Sequence, residues 1–339
     1  MKNILSYEDT SLVIKTTGLT KTFGSQVAVN NLHLEVKRGD IFGFLGPNGS
    51  GKTTTIRMLP GLLHPTAGQI YLFGINNATH LPRNLLRLGA LIETPVFYPY
   101  LSGLDNLRVL AARSGMKLGK ANNHRIDMVL DMIDLRDRAK DLYRTYSLGM
   151  KQRLGIGAAL LTDPELILLD EPTNGLDPAG VHEIRQLILQ LAAQGKTIFL
   201  SSHLLYEVQQ VCNRVAILHQ GHLLKQGNVQ ELLHSERVVV HMRAPEETEQ
   251  AFTLLQEVHA HGTMWMRDVS RGADAQHPDI IFVDAPTARS AEIAALLAQQ
   301  RLFPAELYHY QATLESFFLD ATTSSREDVV MTRKPPESV

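Results

Sequence analysis

The feature that most constrains this fold is the segment 46–53, which reads Gly-Pro-Asn-Gly-Ser-Gly-Lys-Thr and matches the pattern GxxxxGK[ST]. An apolar run at residues 41–45 precedes it, and a helical pattern follows it. Glycines let backbone N–H groups converge on phosphate oxygens, and a helix that begins near Gly51 adds the positive end of its dipole. The pattern therefore predicts a phosphate-binding loop between a buried strand and a helix.

Two residues of this loop have individual roles that polyphosphate chemistry imposes. The Lys52 ammonium brings positive charge to the β- and γ-phosphates, and the Thr53 hydroxyl is a ligand for Mg²⁺. The residues of this region predicted to bind the nucleotide are Gly46, Pro47, Asn48, Gly49, Ser50, Gly51, Lys52, Thr53 and Thr54. The chain contains no Asn-Lys-x-Asp motif for reading guanine, which argues against a GTPase. The loop alone leaves kinases and motors open.

A second apolar run, residues 166–169, ends in the adjacent carboxylates Asp170 and Glu171. Successive side chains of a strand point to opposite sides, so the two acids must have different roles. We predict that Asp170 holds Mg²⁺ opposite Thr53, and that Glu171 polarises the water that attacks the γ-phosphate. A solvated turn before Pro172 is the alternative, and the phosphate-binding loop earlier in the chain disfavours it.

His203 follows a third apolar run, residues 197–200. Most of the 14 histidines are expected to be surface or hydrogen-bonded residues, and position alone sets His203 apart. Open α/β sheets bind their ligands at the carboxyl ends of the strands. A neutral imidazole there can hydrogen-bond the γ-phosphate or the attacking water, so His203 is predicted to be catalytic with Glu171 and Lys52.

The composition bounds the partners and the compartment. A length of 339 residues corresponds to about two domains. The 33 basic and 35 acidic residues give a net charge of −2, so we expect no nucleic acid partner. The only cysteine, Cys212, excludes an intramolecular disulfide and is expected to be buried. The sequence shows no secretory signal and no apolar run of about 18–20 residues, so we expect a cytoplasmic protein.

Four segments differ in pattern. Strand and helix patterns alternate over residues 11–227, which predicts an α/β domain with a largely parallel sheet, and residues about 96–145 within it are predicted to be a helical insertion. Residues 236–321 predict a small α+β domain, and residues 322–339 a flexible tail. The histidines of the small domain are too irregularly spaced to predict a metal site: His234, His241, His259 and His261.

The ordered motifs of residues 12–227 resemble those of the nucleotide-binding subunits of ABC transporters. Residues 146–153 resemble the family signature, usually written LSGGQ, and match it at Ser147 and Gly149. Leu148 and Met150 depart from it, as is common in the subfamily of bacitracin- and lantibiotic-type exporters. The resemblance places His203 at the family's switch histidine.

Three further positions are carried over from this resemblance. Phe23 falls where an aromatic ring stacks on adenine, although Tyr is more usual there. Asp177 lies in the segment that resembles the D-loop, residues 174–177. Glu93 stands where the family mostly has Gln, and its carboxylate is expected to accept from a Mg²⁺-bound water. The resemblance thus implies that Phe23, Glu93, Ser147, Gly149 and Asp177 bind nucleotide, and that Thr53, Asp170 and Glu93 serve the metal.

The resemblance also implies an architecture and a function. The expected fold is a P-loop NTPase of the ABC type with a helical subdomain, followed by the small α+β domain. The expected function is ATP hydrolysis with Mg²⁺ by an ATP-dependent homodimer, in which each signature caps the nucleotide of the other chain. The homodimer is expected on the inner face of the membrane, bound to a separate permease and driving export. The aromatic residues Phe97, Tyr98 and Tyr100 either pack locally or receive the permease.

The alternative is a soluble ABC ATPase that acts in translation or DNA repair. Translation-type members usually carry two cassettes per chain, and repair-type members carry long coiled coils. This chain has one set of motifs and no long heptad run, which favours the transport subunit.

Overall fold

The chain divides into two units in the computed structural model, which describes residues 11–93, 96–116, 119–272 and 277–318. The second unit spans Glu231–Phe317, and the first contains the remainder. The predicted tail at residues 322–339 lies outside the described residues. Within the described ranges, none of the helices combines the length and the apolar character that a membrane span requires.

The first unit alternates strands and helices along its described residues. The strands are β1 (Leu12–Phe23), β2 (Gln26–Lys37), β3 (Ile41–Leu45), β4 (Ala67–Leu72), β5 (Ile75–Asn76), β6 (Leu88–Leu91), β7 (Leu166–Asp170), β8 (Thr197–Ser202), β9 (Arg214–His219) and β10 (His222–Asn228). The helices are α1 (Lys52–Met58), α2 (Asn77–Leu85), α3 (Gly103–Arg113), α4 (Lys120–Met132), α5 (Leu148–Leu160), α6 (Pro178–Ala193) and α7 (Leu205–Val211). A further helix, α8 (Val229–Leu233), begins in the first unit and ends in the second.

A six-stranded sheet with the order β10-β9-β3-β8-β7-β6 forms the centre of the first unit. All its neighbours pair in parallel except β10, which is antiparallel to β9. Every residue of β3, β7 and β8 is buried, as two-sided apolar strands require. The predicted parallel sheet is confirmed. The carboxyl ends of β3, β7 and β8 meet at one edge, where Leu45 pairs with Ser202 and Asp170 with Ser201.

The core of this sheet is built around Phe199 of β8. Its ring is fully buried and lies 5.6 Å from the ring of Phe42 and 5.2 Å from that of Phe44, measured between centroids. Cys212 is also buried, and burial raises the pKa of its thiol far above the ordinary value. The expectation of a buried cysteine is therefore confirmed.

A second sheet of the first unit, with the order β2-β1-β4-β5, is entirely antiparallel. The sequence pattern did not distinguish this antiparallel sheet from the parallel one. Its β1 and β2 are each 12 residues long and pair with several register shifts, which interrupt the simple alternation of apolar and polar residues. The sheet matters for the site because β1 ends at Phe23.

The segment predicted as a helical insertion contains α3, α4 and a short 3₁₀ turn at Tyr143–Thr145. Ser102 caps the start of α3, since its hydroxyl accepts from the Asp105 N–H. Gly115 has a φ of 79° just beyond the end of α3, a conformation that favours glycine. Gly115 therefore marks the end of α3.

The second unit is a split βαβ arrangement, in which two β-α-β segments interleave their strands. Its elements are β11 (Arg237–His241), α9 (Pro245–Ala260), β12 (Asp268–Gly272), β13 (Ile280–Asp284), α10 (Ser290–Gln299) and β14 (Glu306–His309). The antiparallel sheet has the order β12-β13-β11-β14. Both helices pack on one face of it, burying residues such as Leu255 and Leu297 against Val238 and Val283. The β12 strand was not predicted.

Glu165, just before β7, gives the first unit a pH-dependent contribution to stability. Its carboxylate accepts from Arg87 Nη2 at 2.9 Å and from Arg38 Nη1 at 2.6 Å. The hydrogen bonds from Arg87 contribute most to lowering its pKa to about 2. A depressed pKa stabilises the fold above the unfolded value of 4.5, and this contribution is lost as the pH falls from 4.5 toward 2.

We expect Glu165→Gln to flatten the decline of the unfolding free energy between pH 5 and pH 3. The cost at pH 7 should be only about 1 kcal/mol or less, because solvent screens this part-exposed cluster. Urea unfolding at several pH values measures this slope, and Glu246→Gln, which changes an exposed carboxylate of α9, is the control. An unchanged slope in Glu165→Gln would show that the arginines do not hold the carboxylate.

Candidate functional site

The loop between β3 and α1 has the backbone that its glycines were predicted to allow. Gly49 and Gly51 have φ values of 81° and 107°. A Cβ on Gly51 would lie 2.5 Å from the Ala28 carbonyl oxygen, and one on Gly46 would lie 2.3 Å from that of Leu218. Glycine is therefore required at both positions, and α1 begins directly after the loop at Lys52.

Lys52 lies at the centre of the site. Its side chain is only 5% exposed, and its ammonium donates to the Gly46 carbonyl at 2.7 Å and to the Pro47 carbonyl at 3.3 Å. The same Nζ lies 3.3 Å from Glu171 Oε1. The structure thus joins the phosphate-binding loop to the predicted base through one ammonium group.

Asp170 and Thr53 lie as close together as the sequence predicted. The Thr53 hydroxyl is 3.4 Å from Asp170 Oδ1, and the Ser201 hydroxyl donates to the same oxygen at 2.6 Å. Ser201 also accepts from the Glu171 N–H at 2.9 Å. Ser201 therefore holds both acids, a role that was not predicted from the sequence.

Glu171 and His203 form a direct contact. The Nδ1 atom of His203 lies 2.8 Å from Glu171 Oε2, while the other carboxylate oxygen faces Lys52. Glu171 has a φ of 49°, in the left-handed region that residues with a Cβ seldom adopt. This turn of the backbone directs the Glu171 side chain away from the side occupied by Asp170. The two carboxylates therefore have separate partners.

A cleft of about 460 Å³ brings these residues together with the end of β1. It is lined by Phe23, Gln26, Ala28, Asn48, Gly49, Gly51, Lys52, Thr53, Thr54, Glu171, Asn174 and His203. Phe23 is half exposed, so one face of its ring is available to a planar ligand. Gln26 and Ala28 were not predicted, because they lie outside the motifs. Asn174 lies in the segment that resembles the D-loop, from which only Asp177 was predicted.

The donor set beside the loop fits a Mg²⁺ ion. Magnesium prefers oxygen ligands, and Thr53 and Asp170 supply a hydroxyl and a carboxylate within 3.4 Å of each other. The Ser50 hydroxyl nearby is buried and has no hydrogen-bond partner among the described residues. The Ser50 hydroxyl of the loop is therefore available to hydrogen-bond a ligand.

The residues of the signature segment lie outside this cleft. Ser147 caps α5, since its hydroxyl accepts from the Met150 N–H at 3.2 Å, and α5 begins at Leu148. A Cβ on Gly149 would meet nothing within 4 Å, and Ser147 is exposed. This helix start is therefore exposed, although the Met150 N–H is already capped by Ser147.

Asp177 and Glu93 are also outside the cleft lining. Asp177 caps α6 by accepting from the Gly180 N–H at 3.0 Å. Glu93, with a φ of 69°, forms an ion pair with Arg57 of α1. Both carboxylates therefore make these contacts outside the cleft.

The aromatic segment after Glu93 is divided between two environments. The Phe97 ring packs 5.1 Å from the Tyr143 ring, whereas Tyr100 is 77% exposed and Tyr98 is 53% exposed. A cavity of about 250 Å³ opens beside them, lined partly by Val109 and Leu110 of α3. Local packing therefore accounts for Phe97 and leaves the two tyrosines on the surface.

Comparison with known proteins agrees with this chemistry. A family profile described as ABC transporter matches residues 29–174. The bacitracin transport ATP-binding protein of Bacillus licheniformis is 46% identical over 252 residues, covering 74% of this chain and 81% of that protein. The Nod factor export ATP-binding protein of Cupriavidus metallidurans is 37% identical over 224 residues, covering 66% and 74%. A dimeric, post-hydrolysis ATP-binding cassette bound to ADP and Pi matches with a TM-score of 0.57 and 26% identity, covering 64% and 98%.

Proposed function

Because the chain belongs to the ATP-binding proteins of ABC transporters, which hydrolyse ATP, we propose that it powers export through a separate membrane permease. The similarity to proteins named for bacitracin transport and Nod factor export supports this direction. It also disfavours the alternative role in translation or DNA repair. The protein then works on the inner face of the membrane, to which the permease attaches it.

The observation that carries the hydrolytic part of this proposal is the position of Glu171 between Lys52 and His203 in a cleft that also contains Phe23. Phe23 stacks on the adenine, and Lys52 binds the β- and γ-phosphates. Glu171 accepts the proton of the attacking water, while His203 orients the carboxylate or the water. These roles are consistent with the contacts that each side chain makes in the structure.

Thr53 and Asp170 are the residues that would hold Mg²⁺. The ion would neutralise charge on the phosphate oxygens. Ser201 orients the Asp170 carboxylate by donating to it at 2.6 Å. Glu93 forms an ion pair with Arg57, and its carboxylate would serve the ion only when that pair separates.

Two copies of the chain close on ATP in a head-to-tail arrangement. The start of α5, with Ser147 and Gly149, is an exposed anion-binding surface that lies outside its own chain's cleft. The γ-phosphate in one copy is therefore contacted by the helix start of the other. The dimeric state of the similar ADP-bound cassette supports this arrangement.

We expect Ser147→Ala to weaken ATP-dependent dimerisation by more than about tenfold, while ATP binding by the monomer changes by less than about twofold. The hydroxyl caps α5 and is exposed toward the second copy, and a hydrogen bond to a charged group contributes about 1.5–3 kcal/mol. Sedimentation with ATP, in the Glu171→Gln background, measures the dimer. Ser147→Thr keeps the hydroxyl and is the matched control. Equal losses in binding and dimerisation would contradict the contact between chains.

The exposed tyrosines form the surface that meets the permease. Tyr98 and Tyr100 follow Glu93 in the chain, and aromatic residues are enriched where protein interfaces bury their centre. A change in the Glu93–Arg57 pair is thereby passed to the residues that touch the permease.

A further inference from the structure

Three potential metal ligands of the second unit converge from three separate segments. His241 ends β11, His277 lies just before β13, and Glu306 begins β14. One ligand atom from each side chain lies within 4.8 Å of the other two. Neither the nucleotide site nor the similarity to ABC proteins gives these residues a role.

The sheet topology explains why the three side chains meet. His241 pairs directly with Glu306 in the antiparallel ladder of β11 and β14. On the other side of β11, Val240 pairs with Ile281, so the residues that lead into β13 arrive at the end of β11. The observed contacts follow: the two imidazole rings stack 3.7 Å apart, and His277 Nε2 lies 3.2 Å from Glu306 Oε2.

His241 carries a polar atom that the fold does not satisfy. Its Nδ1 is buried and has no hydrogen-bond partner among the described residues, a state that costs about 1–3 kcal/mol. The histidines on α9 and its end differ: His259 Nδ1 lies 2.8 Å from the Met266 carbonyl, and His261 Nδ1 lies 2.7 Å from that of Glu257. The unsatisfied nitrogen therefore belongs to a residue whose side chain is one of the three that converge.

We propose that His241, His277 and Glu306 bind a divalent first-row transition-metal ion, best matched by Zn²⁺. Two imidazoles and one carboxylate form a donor set that suits zinc, whereas Mg²⁺ and Ca²⁺ prefer oxygen alone. Ligand atoms about 2.0–2.1 Å from a tetrahedral ion are about 3.3–3.4 Å apart. The present separations require a movement of about 1.5 Å at most, which side-chain rotation supplies.

The bound ion would join three segments of the sheet and leave its fourth position to water. It would also balance the Glu306 carboxylate, since two neutral imidazoles contribute no charge to the cluster. An ion that binds only the folded state raises the stability of that state by mass action. The expected role is thus to stabilise one end of this sheet when the metal is present.

The test uses the full chain, freed of metal with a chelator and titrated with Zn²⁺ in the absence of nucleotide. We expect the wild type to bind one more Zn²⁺ per chain than His277→Ala and His241→Gln, and we expect Glu306→Gln to weaken that site at least tenfold. Zinc should raise the melting temperature of the wild type and leave those of the two histidine variants unchanged. Glu306 is exposed, so Glu306→Gln tests the site without disturbing the core.

The matched control is His309→Ala, because His309 is exposed on the same strand as Glu306 and lies outside the cluster. It should bind zinc as the wild type does. Equal zinc stoichiometry in the wild type and in His277→Ala, or an equal loss in His309→Ala, would overturn the proposal. ATP hydrolysis without zinc should be the same in all four variants, which separates this test from the proposed transport function.

Discussion

Glu171→Gln is expected to lower the rate of ATP hydrolysis by about 10²–10⁴-fold while ATP remains bound. The amide keeps the size of the side chain and its place between Lys52 and His203, but it cannot accept the proton of the attacking water. The nucleotide therefore persists, and the closed dimer of the proposed mechanism should accumulate. Phosphate release measures the rate, and nucleotide retained through gel filtration measures binding.

Two controls separate the loss of the base from a general disturbance of the site. Glu231→Gln neutralises an exposed carboxylate of α8 outside the cleft and should keep the wild-type rate. His203→Gln should lower turnover as well, by less than Glu171→Gln, because it removes only the group that orients the carboxylate. Turnover near the wild-type rate in Glu171→Gln would assign the base to another residue.

Phe199→Ala is expected to destabilise the first unit by about 3–5 kcal/mol. The ring is fully buried in the parallel sheet and packs against Phe42 and Phe44. Its removal therefore leaves a cavity that the neighbouring strands cannot close. Urea unfolding followed by fluorescence or circular dichroism measures the loss. Catalytic activity should survive wherever the variant is folded, since Phe199 does not line the cleft.

Leu62→Ala is the matched control for this prediction. Leu62 is 70% exposed in the same unit, so its truncation should change the unfolding free energy by about 0.5 kcal/mol or less. A cost below about 1 kcal/mol for Phe199→Ala would mean that the strands collapse around the missing ring.

The nucleotide site was largely predictable because most of its functional residues lie in short local motifs. The spacing of the phosphate-binding loop predicted both Lys52 and the start of α1, and the two-sided apolar strands predicted a parallel sheet. The order of those motifs also led to the ABC family, which the comparisons confirm. The individual roles of Glu171, His203 and Ser147 stay predictions until the variants are measured.

What the sequence did not reveal depends on pairing between distant segments. Ser201 joins the two acids only because β8 lies beside β7, and a serine at the end of a strand has no motif of its own. The cluster of His241, His277 and Glu306 draws one residue from each of three segments, so histidine spacing alone gave no signal. The antiparallel sheet was missed because register shifts blur the period-2 pattern of its long strands.

The buried state of Cys212 makes this chain convenient for site-directed labelling. A thiol that stays protonated and shielded reacts poorly with maleimides or iodoacetamide. A cysteine introduced at an exposed site would therefore carry a fluorophore or spin probe selectively, with the native residue left in place. Such probes on two copies of the chain would report the distance between the copies as ATP is added and then hydrolysed.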